Sequence, residues 1–543
     1  QNFITDPEGS IAASGDVYLY GKEINDETYA ICKSDMMIKG NNPENIKNGS
    51  TLSTDEFAGT TFDFMLSNPP YGKSWSSEEK YIKDGKEVID SRFQVALPDY
   101  WGKVSTQDAT PRTSDGQLLF LMEMVSKMKP VQQGGQGSRI ASVHNGSSLF
   151  TGDAGGGESN IRRYLIENDW LEAIIQLPNN LFYNTGITTY IWLLSNNKTA
   201  ARKGKVQLID ASQLYRKLRK NLGEKNCEFA PEHISQLVDC YNQLASVERD
   251  DDNAGIAAKV FNNRDFGYYK VTIERPDRRK TQFTSERLAS LRFDKALSEP
   301  MQWAYSQWGD AIYTDLAAHE KALLTWCEEN GIELNAKNRK KLLELETWKK
   351  QRQLFDTATQ LMNAFGQGEH SDFNIVKQSV DAWLKTEKVK LSASEKNAML
   401  NAVSWYDETA EKVVAQVKKW SSSELSQHCL YVGCTVDTLP DFGYYPTDNK
   451  GEYVCFESSS ELRDSENIPL ADTIHRYYLA EVKPHVSEAW INLDSVKIGY
   501  EISFNKYFYR HKPLRTLAEV SADILALEVQ SDGLIAQILG VTL

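Results

Sequence analysis

The tetrapeptide Asn68-Pro69-Pro70-Tyr71 has residue types that can do chemistry. It follows Phe64-Met65-Leu66, three apolar residues that read as a buried strand, and it is closed by Gly72. Prolines end a strand because they cannot donate to the ladder. An exocyclic aromatic amine, such as N6 of adenine, is a poor nucleophile because its lone pair is delocalised into the ring. Two acceptors placed out of the ring plane draw its N–H groups toward tetrahedral geometry and concentrate the lone pair on nitrogen. The Asn68 side-chain oxygen and the Pro69 carbonyl can be those acceptors, and proline's fixed φ aims the carbonyl in advance. A carboxylate in place of the amide would be costly in a dry pocket. Tyr71 then offers a ring on which the base can stack. The electrophile can be a methyl group on a sulfonium, so neither a metal nor a nucleophilic side chain is needed. The plainer reading, an Asn-capped Pro-Pro turn, is outweighed by the strand before the motif and the glycine after it.

Such a site must be held at the carboxyl end of a strand, and residues 1–212 alternate strands with helices. Asp16–Glu23 reads as a strand ending in a carboxylate. Asp26–Gly40 reads as a helix with an Asp N-cap and a glycine stop. Arg139–Asn145, Trp170–Leu177 and Thr188–Asn196 read as further strands, and Gly116–Pro130 as an amphipathic helix closed by proline. This alternation predicts a doubly wound, mostly parallel sheet, which places ligands at the carboxyl ends of its strands. Glu23 and Asn68 both lie at such ends. Four segments are expected: a catalytic domain over 1–212, an α/β extension over 213–291, a helical region over 292–425, and a C-terminal region over 426–543. The stretch from Gln213 through Leu244 reads as helical. The segment after Leu425 reads as short strands and loops. The last helix carries an apolar stripe, Leu517, Val520, Ile524, Leu527, Leu534 and Ile538, at the 3-4 spacing of a helix-pairing seam.

The totals bound these readings. At 543 residues with 41% hydrophobic and 25% charged residues, the chain is too long for one core. No run of about 18 apolar residues is present, so no membrane helix is expected. Seven scattered cysteines fit reduced thiols in a cytoplasm, and Cys429, Cys434 and His428 lack the second pair that a zinc site needs, so no metal is expected. A net charge of −14 argues against holding nucleic acid by the bulk field, but it leaves room for a local basic groove or a partner chain.

Several segments together resemble the modification subunit of type I restriction-modification systems, an N6-adenine DNA methyltransferase family. They are "GDVYLYGKEINDETYAICKSDMMIKG", "NIKNGSTLSTDEFAGTTFDFMLSNPPYG", "DGQLLFLMEMVSKMK", "LEAIIQLPNNLFYNTGITTYIWLLSNNK", "KVQLIDASQLYRKLRKNLGEKN" and the tail "YEISFNKYFYRHKPLRTLAEVSADILALE". The resemblance implies an α/β fold of class I S-adenosylmethionine-dependent methyltransferase type, Rossmann-like, with a largely α-helical C-terminal region. It implies S-adenosyl-L-methionine as cofactor, with Glu23 on the ribose hydroxyls, Ile24 against the adenine, Ser50 nearby where the family often has Asp or Asn, and Asn68 at the reacting end. It implies a catalytic Asn68-Pro69-Pro70-Tyr71, with Tyr71 and Phe182 against the substrate base. The implied partners are double-stranded DNA with its adenine flipped out, a specificity subunit and a motor-nuclease restriction subunit. Two alternatives keep the same residues: an RNA or protein-glutamine methyltransferase, or a truncated, non-catalytic docking subunit. The family's Gly-rich loop after the first strand has no counterpart here, since Gly152–Ser159 lies late in the sheet and lacks a phosphate-loop lysine. The chain is therefore expected to begin inside the catalytic domain, without the first strand.

Overall fold

The computed structural model describes residues 16–131, 135–249, 255–509 and 515–539. The chain divides into two compact units, one formed by 1–268, 469–471 and 498–543, the other by 269–468 and 472–497.

The first unit is built on a six-stranded sheet. In chain order its strands are β3 (Phe64–Ser67), β4 (Arg139–Asn145), β5 (Leu171–Gln176), β6 (Thr189–Ser195), β7 (Lys205–Gln213) and β10 (Gly255–Asn262). The spatial order is β10-β7-β5-β6-β4-β3. β3 pairs parallel with β4, and β5 parallel with β7. β6 is antiparallel to both β4 and β5, so β3, β4, β5 and β7 all run one way and their carboxyl ends share one edge. The sheet is thus mixed, where the alternation of elements predicts a mostly parallel one. β1 (Gly21–Glu23) and β2 (Ile46–Asn48) form a separate parallel pair. β1 is shorter than the strand expected from Asp16.

The buried strands are those whose apolar run is unbroken: β5 is buried from Leu171 to Ile175. β3 differs from expectation. Met65 is buried, but Phe64 and Leu66 are 70% and 84% exposed, because β3 is the last strand of its sheet and its alternate side chains point away from the packed face. Helix α1 (Asp26–Ile38) is capped by Asn25, whose side chain accepts from Thr28 N at 2.9 Å, and not by Asp26, which sits in the first turn. Gly40 ends it at φ +72°. Helix α2 (Gln117–Ser126) buries Leu118, Leu119, Leu121 and Met122. Helix α3 (Gly157–Glu167) buries Arg162, whose guanidinium donates to the carbonyls of Ser148, Thr151 and Tyr500; burial pulls its pKa down to about 10.

After β7 the expected helix is replaced by a hairpin, β8 (Arg216–Leu222) and β9 (Lys225–Glu228), followed by α4 (Pro231–Asn242). The helix Leu517–Leu539 forms as expected, and Leu517, Ile524 and Leu527 are exposed. The side chains of Leu534 and Ile538 lie outside the described residues.

The second unit is mostly helical and holds two apolar clusters. One gathers Phe283, Leu354, Leu361, Phe373, Val380 and Leu400; the other gathers Leu297, Met301, Leu323, Leu342 and Trp348. Strands interrupt the expected helical region at Ser404–Tyr406 and Val414–Lys419. Cys429 lies in a helix, Ser422–Val432, where a strand or loop is expected; Ser421 and Glu424 form a capping box at its start. The seven cysteines are free, and no helix among the described residues is long and apolar enough to cross a membrane.

Candidate active site

β1 and β2 run parallel, so Glu23 and the Gly49-Ser50 turn emerge at the same end. Gly49 N donates to the Glu23 carbonyl at 2.9 Å, and Asn25 N donates to Glu23 Oε1 at 2.8 Å. The Ser50 side chain accepts from Leu52 N at 3.3 Å and so caps the turn Thr51–Thr54. That leaves its hydroxyl proton free to donate. Lys22 braces the same turn through Thr54 Oγ1 at 3.1 Å, and burial lowers the lysine's pKa.

The turn is also held from below by Arg92, which is 8% exposed. Its guanidinium donates to the carbonyls of Thr51 at 2.9 Å and Leu52 at 3.2 Å, and pairs with Asp90 at 2.6 Å and Glu123 at 2.8 Å. Burial opposes its charge, but the two carboxylates outweigh burial and keep the guanidinium ionised. Burial lifts the Glu123 carboxyl even with Arg92 beside it.

Asn68-Pro69-Pro70-Tyr71 leaves the end of β3 with Pro69 buried and Asn68 exposed. The Tyr71 hydroxyl donates to Asn68 Oδ1, which fixes the amide's orientation. Burial pushes the Tyr71 phenol up to about 12, so it remains a donor through neutral pH. Gly72 follows at φ +63°, a left-handed conformation that a side chain resists. Its N–H donates to Asp115 Oδ1 at 3.2 Å. Asp115 is 7% exposed. It also accepts from Gln117 Nε2 at 2.7 Å, and Ser147 Oγ lies 2.9 Å from its second oxygen. Gln117 Nε2 reaches Asn145 Oδ1 at 2.7 Å. His144 lies fully buried with Nδ1 3.2 Å from Gln117 Oε1; burial pulls its pKa down to about 3, so the ring is neutral and donates from Nδ1. The end of β4 and the start of α2 thus anchor the turn after β3. Trp75, 1% exposed, adds a second anchor: its indole N–H donates to the Arg112 carbonyl at 3.0 Å and its ring packs on Gly116.

A cavity of about 340 Å³ opens between these elements. Glu23, Ile24, Ser50 and Asn68 all line it, with Pro69 and Phe120. The four residues expected at a cofactor are therefore brought together, although they come from three separate chain segments. Tyr71 and Phe182 do not line it. Phe182 lies on the loop between β5 and β6 and packs on the apolar cluster of Ile175 and Leu177. Arg92, Trp75 and Asp115 escaped the sequence reading. Trp75 had a signal, a lone indole in a Ser-rich loop; Arg92 and Asp115 had none for the turns they brace, which lie about forty residues away in sequence.

Residues 4–276 match the family described as N-6 DNA Methylase. The chain is 31% identical over 251 residues to the type I restriction enzyme MpnII methylase subunit of Mycoplasma pneumoniae, covering 43% of this chain and 40% of that protein. It is 27% identical over 288 residues to the type I restriction enzyme HindI methylase subunit of Haemophilus influenzae, covering 51% of this chain and 56% of that one. The chain thus spans about half or less of the length of these relatives. Among solved structures, the methyltransferase subunit of a type I restriction-modification system from Streptococcus thermophilus matches with 26% identity over 46% of each chain, at a TM-score of 0.35.

Proposed function

The chain belongs to the N-6 DNA methylase family, and we propose that it transfers a methyl group from S-adenosylmethionine to N6 of adenine in DNA as the modification subunit of a type I restriction-modification complex. The observation that carries this reading is the single cavity in which Glu23, Ile24 and Ser50 face the Asn68-Pro69 acceptors. Its size falls within the roughly 300–1,000 Å³ of small-molecule sites.

The residues present fit the cofactor. Asn25 N–H engages one oxygen of Glu23, and the carboxylate keeps acceptor capacity for two ribose hydroxyls. Ile24 is 57% exposed and offers an apolar face to an adenine ring. The Ser50 hydroxyl can donate to a ring nitrogen. When bound, the cofactor supplies a methyl group on a sulfonium.

The chain's own residues prepare the nucleophile. Asn68 Oδ1 and the Pro69 carbonyl accept the two N–H groups of the target amine and so concentrate its lone pair on nitrogen. An amide oxygen accepts two hydrogen bonds, so Asn68 can hold both the Tyr71 hydroxyl and the amine. The Tyr71 bond keeps the amide oxygen turned toward the base and its NH2 turned away. Adenine inside a duplex is out of reach, so the base is flipped out to enter. Asp115 and Trp75 hold the turn while this happens. Phe182 is assigned to the far side of the flipped base.

The specificity subunit is assigned to the exposed stripe Leu517, Ile524 and Leu527, and a motor-nuclease subunit to the assembled complex, which works in the cytoplasm where the DNA is. The test is methyl transfer from labelled cofactor to an adenine-containing duplex. Asn68→Ala should slow turnover by roughly 100-fold or more, on the scale of one lost preorganised hydrogen-bonding group, and leave cofactor affinity nearly unchanged. Near-normal turnover by the variant would refute the mechanism.

A further inference from the structure

We propose that the β8–β9 hairpin is a phosphate clamp that grips the DNA backbone beside the flipped adenine. This rests on the DNA methyl-transfer reading above and adds a surface to it. The whole chain carries −14, yet residues 215–228 hold five basic side chains against two acidic ones. Arg216 is paired with Glu228 at 2.8 Å. Lys217, Arg219 and Lys220 are exposed and have no ion-pair partner among the described residues. Lys217, Arg219 and Lys220 fall within four consecutive residues of β8, where its pairing with β9 shifts register.

The hairpin stands where a clamp is needed. β7 runs parallel to β5, so the chain leaves β7 at the sheet edge that also carries the turn after β3. The hairpin is then tied to the loop between β5 and β6 that bears Phe182. Glu224 N donates to the Tyr183 carbonyl at 2.9 Å and Asn226 N to the Asn180 carbonyl at 3.1 Å. Asn180 Nδ2 returns a bond to the Glu224 carbonyl at 3.0 Å, and Lys225 Nζ donates to the Leu181 carbonyl at 3.0 Å. Gly223 closes the hairpin at φ +62°, and a Cβ there would lie 2.7 Å from the Tyr183 carbonyl oxygen. So one basic side chain is spent on anchoring and one on an ion pair, while three face solvent on a ribbon fixed to the base-side loop. An ordinary solvated face needs no such tether.

The test compares the full chain with the triple variant Lys217→Gln, Arg219→Gln, Lys220→Gln. A control variant, Lys385→Gln, Lys388→Gln, Lys390→Gln, removes the same charge from exposed sites in the other unit. Affinity for a short labelled duplex is measured across salt concentrations, with KM for DNA, kcat and cofactor affinity alongside. Each lost phosphate contact lowers the slope of log affinity against log salt by about 0.9, so the triple variant should lose about 2.7. Between 50 and 200 mM salt its affinity should then fall about 40-fold less than that of the wild type. KM for DNA should rise, while kcat at saturating DNA and cofactor affinity stay level, and the control should keep the wild-type slope. A wild-type slope in the triple variant, or an equal loss in the control, overturns the clamp. So does an unchanged slope with lost co-purification of the specificity subunit, which would make the hairpin a protein contact. A wild type that neither binds nor methylates duplex even when assembled with its specificity subunit refutes the DNA reading itself, and the clamp with it.

Discussion

Replacing Asp115 by alanine tests whether the turn after Asn68-Pro69-Pro70-Tyr71 must be held in place for chemistry. Asp115 is buried and accepts from Gly72 N, Gln117 Nε2 and Ser147 Oγ. Ser147 and Gln117 keep Asn145 Oδ1 as an alternative partner, so the alanine variant strands chiefly the Gly72 N–H and one Gln117 N–H. Gly72 is exposed, so water can take its N–H, and the one buried Gln117 donor left unsatisfied costs about 1–3 kcal/mol, a loss of stability read by denaturant unfolding. The functional effect is separate. With Gly72 released, the Asn68 oxygen and Pro69 carbonyl drift, and a misplacement of about 1 Å costs on the order of 100-fold in rate. Methyl transfer under conditions where the variant remains folded should therefore fall in kcat, while cofactor affinity by calorimetry changes little, since Asp115 does not line the cavity. Asp115→Asn keeps one acceptor for Gly72 and should recover most of the rate. An alanine variant that loses stability but keeps its kcat would show that Asp115 is only structural and refute the positioning argument.

Glu23→Ala should weaken cofactor binding by roughly tenfold or more, because hydrogen bonds to a charged group are worth about 1.5–3 kcal/mol each; equal affinity by calorimetry would remove Glu23 from the site. Arg92→Ala leaves Asp90 and Glu123 unpaired and the Thr51–Leu52 carbonyls untethered, so it should cost about 3–5 kcal/mol in stability and also loosen cofactor binding; thermal unfolding and calorimetry read the two effects. His144 has a folded pKa near 3, below its ordinary 6.5, so the unfolded chain binds the extra proton between those values. Stability should be full above pH 6.5 and fall as pH drops toward 3, and His144→Gln should flatten that window in pH-dependent unfolding. Deleting residues 515–543 should reduce co-purification with the specificity subunit more than it lowers the melting temperature of the first unit.

Local chemistry made part of this architecture readable. β4, β5 and β6 come within one residue of expectation, because an apolar run bounded by turn residues has one reading at that length. The placement of Glu23 and Asn68 was legible because both sit at strand ends, whereas Ser50 was marked only by the family resemblance, since no strand was expected before it. The hairpin β8–β9 was not: "RKLRKNL" has no apolar alternation, and its conformation is set by bonds to the loop at 180–183. The exposure of Phe64 and Leu66 was hidden for a related reason, since an apolar triplet reads the same on a central or a terminal strand. The helix at Ser422–Val432 was announced by Ser421 and Glu424 in capping-box spacing, and the aromatic and turn residues after it drew the reading toward strands. Arg92 and Asp115 each bond a residue two positions away, Asp90 and Gln117, but the turns they brace, at Thr51–Leu52 and Gly72, lie about forty residues off in sequence.

If the cavity and the Asn68-Pro69 acceptors act as proposed, the protein methylates N6 of adenine in duplex DNA. The direct measurement is nucleoside mass spectrometry of duplex DNA incubated with the complete protein complex and isotopically labelled S-adenosylmethionine, with Asn68→Ala run in parallel. Labelled N6-methyldeoxyadenosine is expected from the wild type and little or none from the variant. Label on cytosine, on RNA or on protein glutamine but not on adenine, or equal labelling of adenine by both proteins, would contradict it.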